Sequence, residues 1–387
     1  MAAKKYLFAP GPTPVPPQVL AAMAEPVLHH RSPDFRPVYE RCLARLREIC
    51  RTESDVLLFT SSGTGAMESA GASLCAPGER AVVVSAGQFG ERWTQIARLH
   101  GAEVDELRYE WGETPAAADL AARLDELGGA KVVFLTQSET STGVVCDVQA
   151  LARAAKDAGA LVAVDAVSSL GAVPLEFDAW ELDAAASGSQ KALMTPPGLA
   201  LCAVSEAAFA AAHPSRSYYF DWERVRKAQA KLDAAFTPAT SLVVAFDVAL
   251  GLLLEEGLEN VFERHVRLGR ACREGVKAMG LDLFSPDEDR SAVVTAVRMP
   301  EGLDSAELVL GLRDRFGITI ANGQGALKGK IFRIGHIGWY DVFDITTALA
   351  AVELQLTELG ADIERGVAVT RALEAFSSAK VLRTFAE

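Results

Sequence analysis

The sequence has few cysteines, only six among 387 residues. They are Cys42, Cys50, Cys75, Cys146, Cys202 and Cys272. A disulfide-stabilised scaffold needs a far higher cysteine content, and no pair here has the short spacing of metal ligands. We therefore expect reduced thiols in a cytoplasmic protein, and no metal site.

Long apolar segments are also lacking. The most apolar stretch, residues 243–254, is short and contains Asp247, whereas a membrane-spanning helix needs roughly 20 apolar residues. The first residues, MAAKKYLFAPGP, contain no apolar core of signal-peptide length. These absences argue against a membrane protein and against a secreted one.

Basic residues are outnumbered by acidic ones. Lys and Arg total 38 and Asp and Glu total 51, which gives a net charge of −13. Because phosphate-rich partners must be met by basic residues, neither nucleic acid nor an anionic membrane is expected as a partner. A small anion in a local basic pocket is compatible with this balance.

The length of 387 residues suggests two or three domains.

Short apolar runs alternate with segments of helical periodicity through the first half of the chain. The runs, rich in Val, Leu and Phe, lie at 56–60, 81–85, 131–136, 161–167 and 198–204. The helical segments lie at 66–74, 91–99, 116–127 and 148–158. Continuous apolar runs are typical of strands buried on both faces. The alternation predicts an α/β fold with a mostly parallel central sheet.

The pattern changes after about residue 240. Helices are predicted at 242–254, 259–279, 305–316, 341–359 and 367–382, and strands at 292–298, 318–321 and 330–334. The proline-rich residues 10–17 fit neither a helix nor a central strand, so they predict an extended arm. We divide the chain into an N-terminal arm (1–20), a large α/β domain (21–255) and a small C-terminal α+β domain (256–387).

Ligands of such α/β folds bind at the carboxyl ends of the strands. The segment Ser62-Gly63-Thr64-Gly65 follows the first predicted strand and offers a phosphate site at a helix N-terminus. A serine N-cap with glycines in a tight turn explains the same residues equally well. The segment is not a dinucleotide fingerprint, because its third glycine is missing.

Four further residues follow or end predicted strands: Phe89, Thr140, Asp165 and Lys191. Phe89 stands between two glycines, where it either covers a flat ligand or packs in the core. Thr140 lies in a polar turn that would pass as an ordinary loop. Asp165 ends an apolar run and needs solvent, a turn or a cation as partner. Lys191, among small and apolar residues, either faces solvent or has a lowered pKa that makes its amine a nucleophile.

Taken alone, each of these four residues is better explained by an ordinary structural role. Taken together, they favour a ligand-binding site. A phosphate anchor, a ring cover, an oxygen partner, a carboxylate and an isolated lysine are expected at one edge of one sheet. These are the groups that pyridoxal 5′-phosphate requires, since that cofactor needs a Schiff-base lysine and a partner for its pyridinium nitrogen. The sequence therefore predicts a site for this cofactor.

Over nearly its whole length the sequence resembles the class V aminotransferases of fold type I, in particular the alanine–glyoxylate and serine–glyoxylate or serine–pyruvate aminotransferases. The matching segments are Pro10-Gly11-Pro12, Ser62-Gly63-Thr64-Gly65, Glu139-Thr140-Ser141-Thr142-Gly143, Val164-Asp165-Ala166-Val167, Ser187-Gly188-Ser189-Gln190-Lys191-Ala192, Pro196-Pro197-Gly198 and Phe332-Arg333-Ile334-Gly335. The resemblance implies a fold type I architecture and transamination between alanine or serine and glyoxylate or pyruvate.

The resemblance also implies roles for individual residues. Lys191 would form the Schiff base and Asp165 would pair with the pyridinium nitrogen. Phe89 would stack on the ring, and Thr140 would bind near its phenolic oxygen. The phosphate would be held by Ser62, Gly63, Thr64 and Gln190.

Substrate and subunit contacts are implied in the same way. Arg333 would clamp the substrate carboxylate, with Gly11 beside the substrate. The family is dimeric with shared active sites, and Thr237 is the candidate for the threonine that reaches the partner subunit's phosphate. Phe89 stands where relatives often have tryptophan, and Thr64 where some have histidine, so the exact substrates stay open.

Several alternatives remain at this stage. A 2-aminoethylphosphonate transaminase and an epimerase share the cofactor. A cysteine desulfurase or lyase usually has histidines where Gln190 and Phe89 stand, which disfavours it. A nucleotide-binding dehydrogenase lacks its third glycine here, and a non-catalytic subunit would need neither Lys191 nor Asp165.

Overall fold

The computed structural model describes residues 4–214, 216–286 and 291–378. Its strands are β1 (Tyr6–Leu7), β2 (Asp55–Phe59), β3 (Arg80–Ser85), β4 (Glu103–Arg108), β5 (Val132–Thr136), β6 (Ser138–Glu139), β7 (Val144–Val145), β8 (Leu161–Asp165), β9 (Ala184–Gly188), β10 (Ala200–Val204), β11 (Val294–Arg298), β12 (Ile318–Thr319), β13 (Ala321–Asn322) and β14 (Ile331–Gly335).

The helices occupy the segments between these strands. They are α1 (Pro17–Met23), α2 (Phe35–Cys50), α3 (Gly63–Leu74), α4 (Gln88–Leu99), α5 (Ala117–Leu127), α6 (Val148–Asp157), α7 (Glu206–Ala211), α8 (Trp222–Gln229), α9 (Thr240–Glu256), α10 (Leu258–Ala278), α11 (Ser305–Phe316), α12 (Val342–Glu358) and α13 (Val367–Ser378), with a short 3₁₀ turn at Gly325–Leu327.

A seven-stranded sheet forms the centre, in the order β2-β10-β9-β8-β5-β3-β4. Only β10 runs antiparallel to its neighbours in this sheet. The mostly parallel sheet predicted from the sequence is therefore confirmed. Because six of the strands point the same way, the segments that follow β2, β3, β5, β8 and β9 all emerge at one edge.

The strands of this sheet are buried on both faces, as their continuous apolar runs predict. In β3, Val82 and Val84 belong to one hydrophobic cluster, whereas Ala81 and Val83 belong to a cluster on the opposite face. Successive side chains of a strand point to opposite faces, so an all-apolar strand needs a helical layer on each side. The α/β layering follows from that requirement.

A second, three-stranded antiparallel sheet, β11-β14-β13, lies in the C-terminal part. Its core includes Phe332 and Ile334 of β14 together with apolar side chains of α10, α11 and α12. The N-terminal segment reaches this part of the molecule, since β1 pairs in parallel with β12. The predicted α+β character of the C-terminal segment is thus confirmed, while the division at residue 255 stays a prediction.

Several sequence predictions were wrong or incomplete. Two strands of the central sheet, β4 and β9, were not predicted, because EVDELR is highly charged and AAASG lacks β-branched residues. The arm was expected to be extended through residue 17, but Pro17 is the first residue of α1. Proline is tolerated there because the first N–H of a helix has no partner within the helix. The predicted last helix continues to residue 382, partly outside the described residues.

Three further features concern the cysteines, the apolar helices and the potential metal ligands. All six cysteines are buried free thiols. Within the described ranges, no helix has the length and apolar character needed to cross a membrane. In the same part of the chain, no group of three or more His, Cys, Asp or Glu side chains is arranged to hold a metal ion.

Candidate active site

The N-terminal arm lies between the small sheet and the turn that contains Lys191. The arm is bound to β14 through Gly335 N, which donates to the carbonyl of Phe8 at 2.7 Å. It is bound to the lysine turn through Thr13, whose N–H donates to Gln190 O at 3.1 Å and whose hydroxyl donates to Lys191 O at 2.8 Å. The arm therefore brings Pro10 and Gly11 directly over the lysine side chain.

Lys191 follows β9 at the carboxyl edge of the central sheet. Its Nζ donates to the carbonyl of Pro10 at 2.8 Å. A Cβ atom added to Gly11 would lie 2.1 Å from that Nζ, and the φ of Gly11 is +151°. Both the close approach and the backbone conformation require glycine at position 11. The structure thus brings Gly11 and Lys191 together, two residues that the sequence analysis assigns to the site.

The amine of Lys191 lies in surroundings that disfavour its charge. Burial lowers its pKa to about 8; the carboxylate of Asp165 opposes this shift, and the cations Arg333 and Arg92 add to it. An ordinary lysine has a pKa near 10.4, so a far larger fraction of Lys191 is neutral at physiological pH. A neutral amine can act as a nucleophile and as a base.

Asp165 ends β8 and is 4% exposed. Its Oδ1 accepts a hydrogen bond from Val167 N at 2.8 Å, and no other hydrogen bond of this carboxylate is found among the described residues. Burial, the largest cause, raises its pKa to about 7. A buried carboxylate with one neutral donor is expensive unless a cation pairs with it. A protonated pyridine nitrogen fits that requirement.

The N-terminus of α3 has the geometry of an anion site. Ser62 precedes the helix and its hydroxyl makes no capping bond, so it stays available to a ligand. Gly63 fits tightly against its surroundings: a Cβ on it would lie 2.6 Å from Val167, and one on Gly188 would lie 3.2 Å from Gly63 N. This glycine pair leaves the first helical N–H groups uncovered by side chains, as a phosphate requires.

Gln190 and Thr64 lie next to this N-terminus. The Oε1 of Gln190 is buried and has no hydrogen-bond partner among the described residues. Because the two ends of an amide are assigned from its hydrogen bonds, this side chain can equally present its NH₂ group to an anion. The hydroxyl of Thr64 accepts a bond from Arg92 Nη1 at 3.2 Å. The four predicted phosphate residues are thus neighbours, and the site fits the phosphate of the cofactor.

Phe89 is the second residue of α4 and is held by a buried carboxylate. Glu139, 1% exposed, accepts hydrogen bonds from Phe89 N at 2.9 Å and Gly90 N at 3.1 Å through Oε2. Its other oxygen accepts from the N–H and the hydroxyl of Ser141. Although burial raises the pKa of Glu139, its four hydrogen-bond donors oppose that shift, and two of them are backbone N–H groups at the N-terminus of α4.

Arg333 lies in the middle of β14 and is 5% exposed. Its Nη1 donates to the carbonyl of Thr140 at 2.7 Å, and Nε and Nη2 donate to the carbonyl of Asn322 at 3.0 and 2.7 Å. Burial lowers its pKa to about 10, so it is charged at neutral pH. Three of its five N–H groups are used, leaving one on each terminal nitrogen. Those two can receive a carboxylate as a fork.

The structure does not bring Thr237 to the other predicted residues within one chain. Thr237 is exposed and precedes α9, and no hydrogen bond joins it to a predicted site residue among those described. Its neighbour Phe236 stacks on Tyr219 with ring centroids 4.7 Å apart. The role of this threonine at the partner subunit's phosphate site stays a prediction.

Two charged residues of the site were not assigned a role from the sequence. Glu139 was visible as part of the polar turn, but nothing in the sequence indicated that it holds the start of α4. Arg92 stands three residues after Phe89, a spacing that places the two on one helix face. That spacing was the only available signal for Arg92.

Comparison with known proteins shows the family to which the chain belongs. The family model described as Aminotransferase class-V matches residues 5–335. The chain is 41% identical to the soluble hydrogenase 42 kDa subunit of Anabaena cylindrica, covering 97% of this chain and 99% of that protein. It is 36% identical to serine–glyoxylate aminotransferase of Methylorubrum extorquens, covering 95% of each. L-Aspartate–glyoxylate aminotransferase of Paracoccus denitrificans is 34% identical, with coverage of 97% and 96%.

Solved structures confirm the fold. Ureidoglycine–glyoxylate aminotransferase of Bacillus subtilis superposes with a TM-score of 0.93 at 33% identity, covering 97% of this chain and 99% of that one. Alanine–glyoxylate aminotransferase of Nostoc sp. gives a TM-score of 0.88 at 29% identity, with coverage of 92% and 96%.

Proposed function

Since the chain belongs to the class V aminotransferases, we propose that its transaminase reaction uses pyridoxal 5′-phosphate, with alanine or serine as amino donor and glyoxylate or pyruvate as acceptor. The observation that carries this proposal is that Lys191 and Asp165 lie at the carboxyl edge of the central sheet, with Arg333 of β14 in the small sheet close enough to act on Lys191. The charge of Lys191 interacts with that of Asp165 and with that of Arg333. A non-catalytic subunit would have no use for this arrangement.

The cofactor, when bound, supplies a carbonyl for the amino group and a ring that accepts an electron pair. Lys191 would hold it covalently through Nζ. Asp165, buried and without a cation of its own, would keep the ring nitrogen protonated. Once released, the amine of Lys191 would move the proton between the α-carbon of the substrate and the cofactor carbon, for which its lowered pKa suits it.

Arg333 would select for α-carboxylates. Each terminal nitrogen of Arg333 has one unused N–H group, and its other N–H group donates to Thr140 or to Asn322. Because those hydrogen bonds hold the guanidinium in place, the two unused groups form a fork of fixed orientation. A guanidinium fork binds a carboxylate through two parallel hydrogen bonds. Donor and acceptor both have this group, so one arginine would serve both half-reactions.

The acceptor is better supported than the donor. The names of four relatives, acting on serine, aspartate, alanine and ureidoglycine, share glyoxylate as their second substrate. In this chain the Pro10 carbonyl and Gly11 lie against the tip of Lys191, which favours a substrate with a small side chain. Alanine and serine are the donors that fit both considerations.

An activity panel tests the function. Purified protein should be yellow, lose that colour with the correct amino donor and regain it with the correct 2-oxo acid. Alanine, serine, aspartate and 2-aminoethylphosphonate should be paired in turn with glyoxylate and pyruvate. Activity with the phosphonate alone, or racemisation without amino transfer, would replace the proposed reaction. If the protein bound no pyridoxal phosphate, the proposed reaction would be refuted.

Arg333→Lys tests the carboxylate clamp. Lysine keeps the charge but not the fork, and a charge-assisted hydrogen bond contributes roughly 1.5–3 kcal/mol. We expect kcat/KM to fall by roughly 10- to 100-fold for donor and acceptor alike. Absorbance of the bound cofactor should stay normal. Full activity of this variant, or loss of its cofactor, would show that Arg333 is not the clamp.

We further propose a cytoplasmic homodimer in which Thr237 reaches the partner subunit's phosphate site. Thr237 is exposed and, among the described residues, makes no hydrogen bond to a predicted site residue; the six thiols are free. Thr237→Ala should leave the dimer intact by analytical ultracentrifugation and weaken cofactor binding severalfold, the loss of about one hydrogen bond. A monomeric wild-type protein, or unchanged cofactor affinity in the variant, would contradict the shared site.

A further inference from the structure

Arg92 is a charged residue of α4 that the proposed reaction does not use. It is half-buried, and its Nη1 donates to the hydroxyl of Thr64 at 3.2 Å. Its guanidinium carbon lies 4.7 Å from the centre of the Phe89 ring. Throughout residues 4–214, 216–286 and 291–378, no carboxylate lies within ion-pair distance of Arg92. Its charge is therefore not neutralised by an acidic side chain.

These two contacts join parts of the site that belong to different helices. Thr64 is in the first turn of α3, at the predicted phosphate site. Phe89 is in the first turn of α4 and is the predicted ring-stacking residue. The guanidinium covers one face of the Phe89 ring, which leaves only the other face for a flat ligand. Arg92 thus fixes a phosphate contact and a ring contact relative to each other.

We propose that Arg92 is a positioning residue for pyridoxal phosphate, which orients Thr64 and the Phe89 ring and whose charge strengthens binding of the phosphate dianion. This inference rests on the proposed function, since it presupposes the cofactor. Glu139 accepts a hydrogen bond from Phe89 N, so both the main chain of Phe89 and one face of its ring have a charged partner. A cation–π contact of this kind favours a planar guanidinium over an ammonium.

The charge of Arg92 also acts on Lys191 and Asp165. The charged groups that act on Lys191 are Asp165, Arg333 and Arg92, and those that act on Asp165 are Glu139, Arg92 and Lys191. Arg92 helps to lower the pKa of both groups. Removing its charge should therefore raise the pH at which the chromophore of the bound cofactor titrates, because the protonated Schiff-base nitrogen at Lys191 would lose a repelling neighbour.

Two variants separate the charge from the stacking. Arg92→Gln keeps a planar donor but removes the charge, whereas Arg92→Lys keeps the charge but not the planar group. Dissociation constants of pyridoxal phosphate, and of pyridoxal without its phosphate, should be measured for protein stripped of cofactor from the holoenzyme. Arg98→Gln is the matched control, because Arg98 is exposed on the same helix.

We expect Arg92→Gln to weaken pyridoxal phosphate binding by about tenfold or more, the loss expected for one charge-assisted contact. Pyridoxal should be affected less, since it lacks the dianion. The chromophore pKa should rise in the glutamine variant and stay near the wild-type value in the lysine variant. Arg98→Gln should match the wild type in every measurement.

Binding of pyridoxal phosphate within twofold of wild type in Arg92→Gln, with an unchanged chromophore pKa, would overturn the inference. Equal weakening in Arg92→Lys and Arg92→Gln without a pKa change would assign the residue to packing alone and would also overturn its electrostatic role. If instead the wild-type protein bound no pyridoxal phosphate, the proposed function itself would fail. The two failures are thus distinguishable.

Discussion

Lys191→Ala is expected to abolish transamination, with kcat reduced by at least about 1,000-fold. Two functions are lost together in this variant: the covalent attachment of the cofactor and the proton transfer at the substrate. General acid–base catalysis alone contributes about 100- to 10,000-fold. Among the described residues, Lys191 is the lysine whose Nζ donates to the Pro10 carbonyl at this sheet edge.

Borohydride reduction makes the covalent role directly visible. Reduction of the wild-type holoenzyme followed by peptide mapping should place the pyridoxyl adduct on Lys191. In Lys191→Ala the cofactor should bind without covalent attachment and be removed by dialysis after reduction. Lys227 is exposed and paired with Glu223, so Lys227→Ala serves as the control with normal labelling. An adduct on Lys227 or Lys231 would refute the assignment.

Lys191→Arg distinguishes the chemistry of the amine from its charge. Arginine keeps a positive charge in the same place, but it does not deprotonate in proteins and forms no Schiff base. We therefore expect the arginine variant to be as inactive as the alanine variant. Substantial turnover in the arginine variant would mean that Lys191 acts only through its charge.

The sequence was informative wherever one chemical type stands out against its neighbours. Lys191 among small residues, Asp165 at the end of an apolar strand and Arg333 within an apolar strand each carry a charge where burial is expected. Burying a charge is costly, so such positions imply a partner or a ligand. Parallel strands then bring their ends to one edge, which is why local signals sufficed to place residues of the large sheet together.

The features that were missed depend on neighbours distant in sequence. The strand β9 is built of alanine, serine and glycine, and it is a strand because β8 and β10 pair with it on both sides. Tertiary pairing overrides weak propensity in such a case. Likewise, the role of Arg92 depends on its hydrogen bond to Thr64 on another helix. The role of Glu139 depends on its hydrogen bond to the first turn of α4. No local pattern encodes those contacts.

Asp165→Asn is expected to have opposite effects on activity and on stability. Asparagine keeps the acceptor for Val167 N but cannot pair with a protonated ring nitrogen. Breaking a buried charge pair costs about 3–5 kcal/mol, so kcat should fall by about 100- to 5,000-fold. Cofactor should still bind, because the phosphate site and Lys191 are intact. Near-normal turnover would show that Asp165 does not maintain the ring proton.

In the cofactor-free protein the same substitution should be stabilising at high pH. The pKa of Asp165 is raised by burial from 3.8 to about 7, so its ionised form destabilises the folded state. This penalty is absent below pH 3.8, grows between pH 3.8 and about 7 and is constant above, where it is on the order of 4 kcal/mol. Urea unfolding should therefore show Asp165→Asn to be more stable than wild type at pH 8, with the difference vanishing near pH 4. Asp147→Asn, which changes a helix-capping carboxylate, should show no such gain. A variant that is equally stable at pH 8 would mean that the buried carboxylate already has a cationic partner within the protein.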